Sequence, residues 1–191
     1  KRGDTLFFLR EISKFFAVNA ELNHLGFLRF NFNKFKNLKK DLREQILSRS
    51  IMTVAGREYP PSISSLRRIS SHFSEFSSSK TLGGCLIIKR GDTLFFLREI
   101  RNSEPKKIKI NDESLIWDQR FKIKISKTDK KHVKLLRVGR KGFDQVTNAG
   151  YYIHSSDIPK VAVLSLPALW DREKVVSIPN LGVKLDRNIE I

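Results

Sequence analysis

Residues 85–98 read CLIIKRGDTLFFLR, and this stretch decides the class of the fold. Two β-prone runs, residues 85–89 and 93–97, flank a Gly-Asp pair at residues 91–92. Glycine adopts positive φ at little steric cost, so the pair suits a tight turn between two strands. The pattern predicts a β-hairpin, and with it an antiparallel sheet in this part of the chain.

The twelve residues KRGDTLFFLREI occur twice, at 1–12 and at 89–100. The flanking residues do not match, which argues against the fixed-period repeats of a solenoid or propeller. The first copy has no β-prone run before it, so residues 1–19 are predicted to be a duplicated, frayed segment. The alternative is that the first copy competes for the strand position of the second and promotes a swapped homodimer.

Residues 20–79 have mainly helical spacing. Alternation over residues 26–32 (GFLRFNF) predicts one strand. Apolar residues then recur at helical spacing between an N-cap at Asn37 and a stop at Gly56. A second helix is predicted after Ser62, and the serine tract at residues 77–79 is interpreted as a linker.

Beyond residue 80 the period changes to two. Residues 120–126 (RFKIKIS) alternate strictly, and residues 132–138 (HVKLLRV) are a second strand candidate, which predicts a hairpin around residues 127–131. A short helix is predicted after Pro159, and a last strand over residues 174–178.

These patterns predict an α+β fold. A small helical module over residues 20–79 is followed by a mostly antiparallel, β-rich α+β module over residues 80–191, with the boundary in the serine tract.

Composition limits the class of protein. The chain has 191 residues, 37 Lys+Arg and 20 Asp+Glu, for a formal net charge of +17. No apolar run approaches the roughly 18–20 residues of a membrane span, so no stable membrane association is expected. One cysteine, Cys85, excludes an internal disulfide, is interpreted as a buried apolar residue, and fits a reducing cytoplasm. Such a charge makes nucleic acid the first partner to consider and an anionic membrane surface the second.

The excess charge of the second module lies in residues 120–141, which contain ten basic residues and one acidic residue. Like charges on neighbouring strands destabilise a sheet, so this density predicts a polyanion ligand. Phosphate contacts of this kind hold a nucleic acid without reading its sequence. The predicted nucleic-acid-binding residues are Arg120, Lys122, Lys124, Lys127, Lys130, Lys131, Lys134, Arg137, Arg140 and Lys141.

A second basic stretch lies at the start of the first long helix. It is either a further polyanion contact or an ordinary solvated helix face. Its members are Lys34, Lys36, Lys39, Lys40 and Arg43.

Residue patterns of common catalytic sites are missing from the sequence. It has no glycine-rich phosphate loop, no G-x-S-x-G and no H-E-x-x-H, and its four histidines lack the spacing of metal ligands. No catalytic residue and no metal site is therefore predicted. Trp117 and Trp170 are interpreted as core anchors, each followed by an aspartate that suits a turn.

Several motifs, in order, resemble the C-terminal region of bacterial tRNA(Ile)-lysidine synthetases. They are AGREYPP at 55–61, TLGGC at 81–85, WDQRF at 117–121, LPALWD at 166–171 and IPNLG at 178–182. Gly139, Gly142 and the Ile-Pro pair at 158–159 fit the same order. The resemblance covers roughly residues 20–185, and the duplicated residues 1–12 have no counterpart in it.

The resemblance implies a role in modifying tRNA. The family uses ATP and Mg²⁺ to activate the wobble cytidine of an isoleucine tRNA, which lysine then attacks to give lysidine. That chemistry resides in an N-terminal Ser-Gly-Gly-x-Asp-Ser loop that this sequence lacks, so the resemblance implies no bound cofactor in this chain. What it implies here is a cytoplasmic, tRNA-binding region of a ligase without its catalytic domain.

Two alternatives remain open at this point. The first residue is lysine rather than methionine, which suggests a fragment or a processed piece. The duplicated twelve residues and the missing catalytic half make a non-functional remnant of a split gene the first alternative. Alternatively, the basic residues form a module that binds a protein or an anionic membrane.

Overall fold

The computed structural model describes residues 2–71, 79–100, 106–107, 114–124, 127–128, 133–155, 157–186 and 189–190. For residues 2–6, 106–107, 127–128 and 189–190 the description is of the backbone alone. The chain divides into two compact units, Lys1–Glu99 and Ile100–Ile191.

The first unit combines helices with one sheet. Its helices are α1 (Arg2–Asn19), α2 (Phe32–Lys36), α3 (Lys40–Ala55) and α4 (Ile63–Ser71). Its strands are β1 (Ala20–Leu22), β2 (Leu28–Asn31), β3 (Lys80–Leu82), β4 (Cys85–Arg90) and β5 (Thr93–Arg98). All neighbours in the sheet are antiparallel, in the order β1-β2-β5-β4-β3.

The hairpin predicted at residues 85–98 is present as β4 and β5, but it belongs to the first unit. Strand β5 pairs with β4 on one side and with β2 on the other, with Leu28 opposite Phe96. The boundary predicted between residues 79 and 80 is therefore corrected to the junction after Glu99. The predicted boundary depended on the local serine tract. The observed division depends on the pairing of β2 with β5, strands more than 60 residues apart in sequence.

The two copies of the twelve-residue sequence adopt different secondary structures. Residues 2–12 are helical in α1, whereas Thr93–Arg98 is the central strand β5. The frayed segment expected over residues 1–19 is thus corrected to a helix, and its residues Ile12 and Phe15 are buried in the core of the first unit. Because the two copies have the same sequence, their local propensities for helix and strand are identical. Tertiary contacts therefore decide which secondary structure each copy adopts.

The core of the first unit lies between its helices and one face of the sheet. The side chain of Phe30 on β2 packs between Phe15 of α1 and Phe96 of β5, at ring-centroid distances of 5.2 and 5.1 Å. Helix α3 buries Ile46 and Ile51 completely against this cluster. Cys85 is buried as well, which confirms its interpretation as a core residue.

Helix boundaries in the first unit follow local signals with one exception. Gly56 ends α3 in the left-handed conformation, with φ of 58°, as predicted. Before α4, the Ser62 hydroxyl accepts a hydrogen bond from the backbone N–H of Ser65 at 3.3 Å, as an N-cap does. Asn37, predicted as the N-cap of the long helix, instead ends α2, and α3 begins at Lys40.

The second unit contains short strands and two short helices. Its strands are β6 (Lys106–Lys107), β7 (Leu115–Trp117), β8 (Phe121–Ile123), β9 (Lys127–Thr128), β10 (Val133–Arg137), β11 (Pro167–Asp171), β12 (Lys174–Ile178), β13 (Val183–Lys184) and β14 (Ile189–Glu190). Its helices are α5 (Gly139–Asn148) and α6 (Lys160–Leu164). The main sheet has the order β13-β12-β11-β10-β6, and β7-β8 and β9-β14 are separate antiparallel pairs.

The hairpin predicted between residues 120–126 and 132–138 is not formed by the described strands. Strand β8 pairs with β7, while β10 pairs with β11 and β6. Strand β11 has no counterpart among the predicted strands, because its first residue, Pro167, is typical of the end of the helix that is predicted after Pro159. The last strand, residues 174–178, is confirmed as β12.

Apolar side chains join the β7-β8 hairpin to the main sheet of the second unit. Trp117 and Ile123 pack with Val133, Leu135 and Leu169 in one buried cluster. Trp117 and Trp170 are 4 and 6% exposed, which confirms them as core anchors. The predicted α+β class with antiparallel sheets is confirmed.

Candidate nucleic-acid interface

The ten predicted phosphate-binding residues lie on several elements of the second unit rather than on one hairpin. Arg120 lies in the β7-β8 turn, Lys122 on β8, Lys134 and Arg137 on β10, and Arg140 and Lys141 in the first turn of α5. Lys124 follows β8, and Lys127 begins β9, where it lies opposite Glu190 in the register. Lys130 and Lys131 are outside the described residues.

Arg120 is a buried residue, not a surface cation. Its side chain is 5% exposed, and its Nη2 donates to Asp118 Oδ2 at 3.1 Å and to the Ser165 carbonyl oxygen at 3.3 Å. Both Asp118 and Gln119 have positive φ, at 53° and 58°, and the Arg120 N–H closes the turn onto the Trp117 carbonyl at 3.0 Å. This turn points the guanidinium inward, so the strand alternation that was predicted for Arg120 does not apply.

The WDQRF motif is therefore explained by structure. Its tryptophan anchors the β7-β8 hairpin, its Asp-Gln pair makes the turn, and its arginine ties the turn to Ser165. The aspartate side chain accepts a hydrogen bond from Arg120.

Besides Lys141, four members of the predicted set are exposed among the described residues. We call them the exposed basic group: Lys122, Lys124, Lys134 and Arg140. On β8 the side chains alternate as predicted, with Lys122 exposed and its neighbour Ile123 buried. On β10, Lys134 is exposed between the buried residues Val133 and Leu135. Strand alternation therefore places these positive charges in contact with solvent.

Lys141 is engaged with an acidic residue. Its Nζ donates to the carboxylate of Glu173 in the turn between β11 and β12, and both side chains are largely exposed. The hydrogen bond and charge of Lys141, with a smaller contribution from Lys134, lower the pKa of Glu173 below its ordinary value. Glu173 thus offsets part of the positive charge at this end of the sheet, which sequence analysis missed because the two residues are 32 positions apart.

Helix α5 is held to the β11-β12 turn by a side-chain amide. Gln145 Nε2 donates to the Glu173 carbonyl oxygen at 2.9 Å, and Gln145 Oε1 accepts from the Val175 N–H at 2.8 Å. The side-chain amide thus both donates to and accepts from the backbone, as a residue of a neighbouring strand would. The two bonds hold α5, and with it Arg140 and Lys141, in a fixed position relative to the sheet.

The second basic stretch, in the first unit, is exposed at Lys34, Lys36, Lys39 and Lys40. Arg43 differs, since its Nη1 donates to the Lys36 carbonyl oxygen at 2.8 Å and links α3 to the end of α2.

The described parts of both units contain no group of three or more His, Cys, Asp or Glu side chains that could hold a metal ion. Among the same residues, no helix has the length and apolar character of a membrane span.

Comparison with known proteins finds relatives that are named tRNA(Ile)-lysidine synthase. Its relatives include proteins named tRNA(Ile)-lysidine synthase from Orientia tsutsugamushi strain Boryong, 23% identical over 94% of the chain, and from Rickettsia rickettsii, 23% identical over 92%. The protein of that name from Wolbachia pipientis wMel is 31% identical over 53% of the chain. No protein-family model matches the chain.

These relatives confirm the family resemblance: the chain is homologous to bacterial tRNA(Ile)-lysidine synthases over nearly all of its length. The chain spans 42% of the length of the Orientia protein, 37% of the Rickettsia protein and 24% of the Wolbachia protein. The match is thus to one region of longer proteins.

Proposed function

We propose that this chain is the C-terminal, tRNA-binding region of a tRNA(Ile)-lysidine synthase and that the second unit contacts tRNA through the exposed basic group. The observation that carries the proposal is the exposure of Lys122, Lys124, Lys134 and Arg140 within a segment of ten basic residues and one acidic residue. The names of the relatives support tRNA as the polyanion. A cytoplasmic location is part of the same proposal.

The proposed binding is electrostatic and does not read base sequence. Phosphate contacts release counterions, so the logarithm of the binding constant falls with the logarithm of salt concentration by roughly 0.9 per neutralised phosphate. Four exposed cations therefore correspond to a slope of about −4. The count is of exposed side chains, so the buried Arg120 is left out. Lys141 is left out because its Nζ donates to Glu173.

The test is a salt titration of tRNA binding to the full 191-residue chain, followed by fluorescence anisotropy. We expect measurable affinity at low salt and a slope near −4. An absence of binding at low salt, or a response that does not change with salt, would contradict the proposal. Vesicles containing anionic lipid, added as competitors, distinguish a membrane-binding module, since such a module would leave the tRNA and bind the vesicles.

A further inference from the structure

The most unusual feature outside the basic surface is that one sequence occupies two environments. Residues 1–12 and 89–100 are identical, yet the first copy belongs to helix α1 and the second supplies the central strand β5. The β5 position in the sheet of the first unit can therefore accommodate the side chains of either segment, because the two segments have the same sequence.

The strand environment buries what the helix environment leaves exposed. Phe95, Phe96 and Leu97 on β5 are 3, 0 and 0% exposed. Their counterparts Phe7, Phe8 and Leu9 on α1 are 61, 37 and 41% exposed. Exposed apolar side chains clustered in this way commonly mark an interaction surface. Here the complementary site is known, because the sheet already accommodates the same side chains.

We propose that the first copy of the repeated sequence in one chain takes the β5 position in the sheet of a second copy of this chain, giving a strand-exchanged assembly. Such an exchange preserves side-chain packing, since each residue replaces an identical one. The contact is heterologous, because residues 1–12 of one chain meet β2 and β4 of the next, so it can extend beyond a dimer.

The topology of the first unit favours a second chain over the same chain as the acceptor. In the β5 position the first copy would run antiparallel to β2 and therefore parallel to β1, which also pairs antiparallel with β2. Within one chain, only residues 11–19 would then connect these two parallel strands, although such crossovers need about a dozen residues or more. When the acceptor is a second chain, residues 11–19 connect strands in two different sheets, so no crossover within one sheet is needed.

The exchange requires that the β5 position be open. In the folded monomer it is filled by the second copy, which a tight turn joins to β4, with Arg90 opposite Thr93. During folding at high concentration both copies compete for open positions, which is the condition under which segments swap between molecules. The strand-exchanged assembly is therefore expected to form during refolding at high concentration.

Register gives a direct test through the native cysteine. Cys85 on β4 lies opposite Arg98 on β5, and Arg10 is the counterpart of Arg98 in the first copy. The adjacent hydrogen bond from the Glu99 N–H to the Gly84 carbonyl, at 2.9 Å, makes Cys85 and Arg98 a non-hydrogen-bonded pair. The Cα atoms of such pairs lie about 4.5 Å apart, within the range that a disulfide spans.

The experiment refolds Arg10→Cys from denaturant at high and low concentration with an oxidised glutathione buffer, and maps disulfides by mass spectrometry. We expect a disulfide between the introduced thiol and Cys85 of another chain, increasing with concentration. Glu11→Cys is the matched control, because its counterpart Glu99 lies opposite Gly84 and alternates to the other face. The proposal is overturned if the two variants link to Cys85 equally, if the link lies within one chain, or if no such link forms.

A second measurement uses no cysteine. Refolded wild type is expected to contain oligomers by light scattering, Phe8→Lys to be mainly monomeric, and Val18→Lys to resemble wild type. Val18 is an apolar residue of α1 that is 73% exposed and lies outside the repeated sequence. Equal oligomer fractions in all three proteins, or equal loss in both variants, would indicate general apolar adhesion and contradict strand exchange.

Discussion

Gly142 of α5 lies against the indole of Trp170 on β11, so close that a Cβ at this position would be 2.9 Å from Trp170 Cζ2. The same Cβ would be 3.0 Å from Val175 Cγ2 on β12. A helix can approach the sheet this closely only where no side chain intervenes. This contact, together with the Gln145 amide bonds, sets the position of α5 and its basic first turn.

Replacing this glycine is expected to destabilise the second unit. Gly142→Ala forces Trp170 and Val175 to move, although alanine favours the helix by up to about 1 kcal/mol. Overpacking in a core costs about 1–3 kcal/mol, so after the gain in helix propensity is subtracted we expect a net loss of about 1 kcal/mol. Chemical denaturation measures it, with Asn148→Ala as an exposed control on the same helix. An unchanged or raised stability for Gly142→Ala would contradict the close contact.

Arg120 is expected to matter for stability more than for tRNA. Arg120→Met leaves Asp118 and the Ser165 carbonyl without their guanidinium donor, and we expect a loss of about 2–3 kcal/mol. Asp118 retains some contact with water, which keeps the loss below that of a fully buried pair. The matched variant Lys122→Met should change the free energy of unfolding by less than about 0.5 kcal/mol. A reversed order of the two values would contradict this assignment.

The exposed basic group is expected to act on tRNA binding as separate phosphate contacts. Lys122→Glu, Lys134→Glu and Arg140→Glu should each weaken binding to all tRNAs alike and reduce the salt slope by about 1. Lys184→Glu makes the same change of charge on an exposed residue of β13 outside the group and should have the smallest effect. A loss confined to one tRNA would show base readout, and equal effects of all four variants would show a response to net charge alone.

The pairing of Lys141 with Glu173 predicts a specific pH dependence. Because the pKa of Glu173 is lowered in the folded chain, its contribution to stability is present above the unfolded value, about 4.3 for glutamate, and is lost as the pH falls through the folded value. NMR titration of the Glu173 carboxyl carbon should therefore give a lowered pKa, and Lys141→Met should raise it. An unchanged pKa in the variant would contradict the pairing.

The duplicated sequence provides a matched pair of substitutions. Phe96→Ala removes a fully buried ring from the core and is expected to cost about 3–5 kcal/mol. Phe8→Ala changes the same residue in the same local sequence, but on a partly exposed helix face, and should cost less than about 1 kcal/mol. Equal losses in denaturation would mean that both copies are buried alike.

Where the sequence predicted correctly, the signal was local. The turn at Gly91, the strand over residues 174–178 and the helix stop at Gly56 depend on a few adjacent residues. Prediction was wrong or incomplete where a residue distant in sequence decides the contact. The examples are the pairing of β10 with β11 and the ion pair of Lys141 with Glu173. Of the candidate site, it predicted the positive charge, but not that Arg120 turns inward.

The sequence by itself determined the α+β class, the basic segment around residues 120–141 and, through its motifs, the relation to tRNA(Ile)-lysidine synthases. Only the tertiary structure decided that TLFFLR is a helix at residues 5–10 and a strand at residues 93–98. The physical reason is that identical residues have identical local propensities. The strand forms where β2 and β4 supply backbone partners on both sides and a core that buries Phe95 and Phe96.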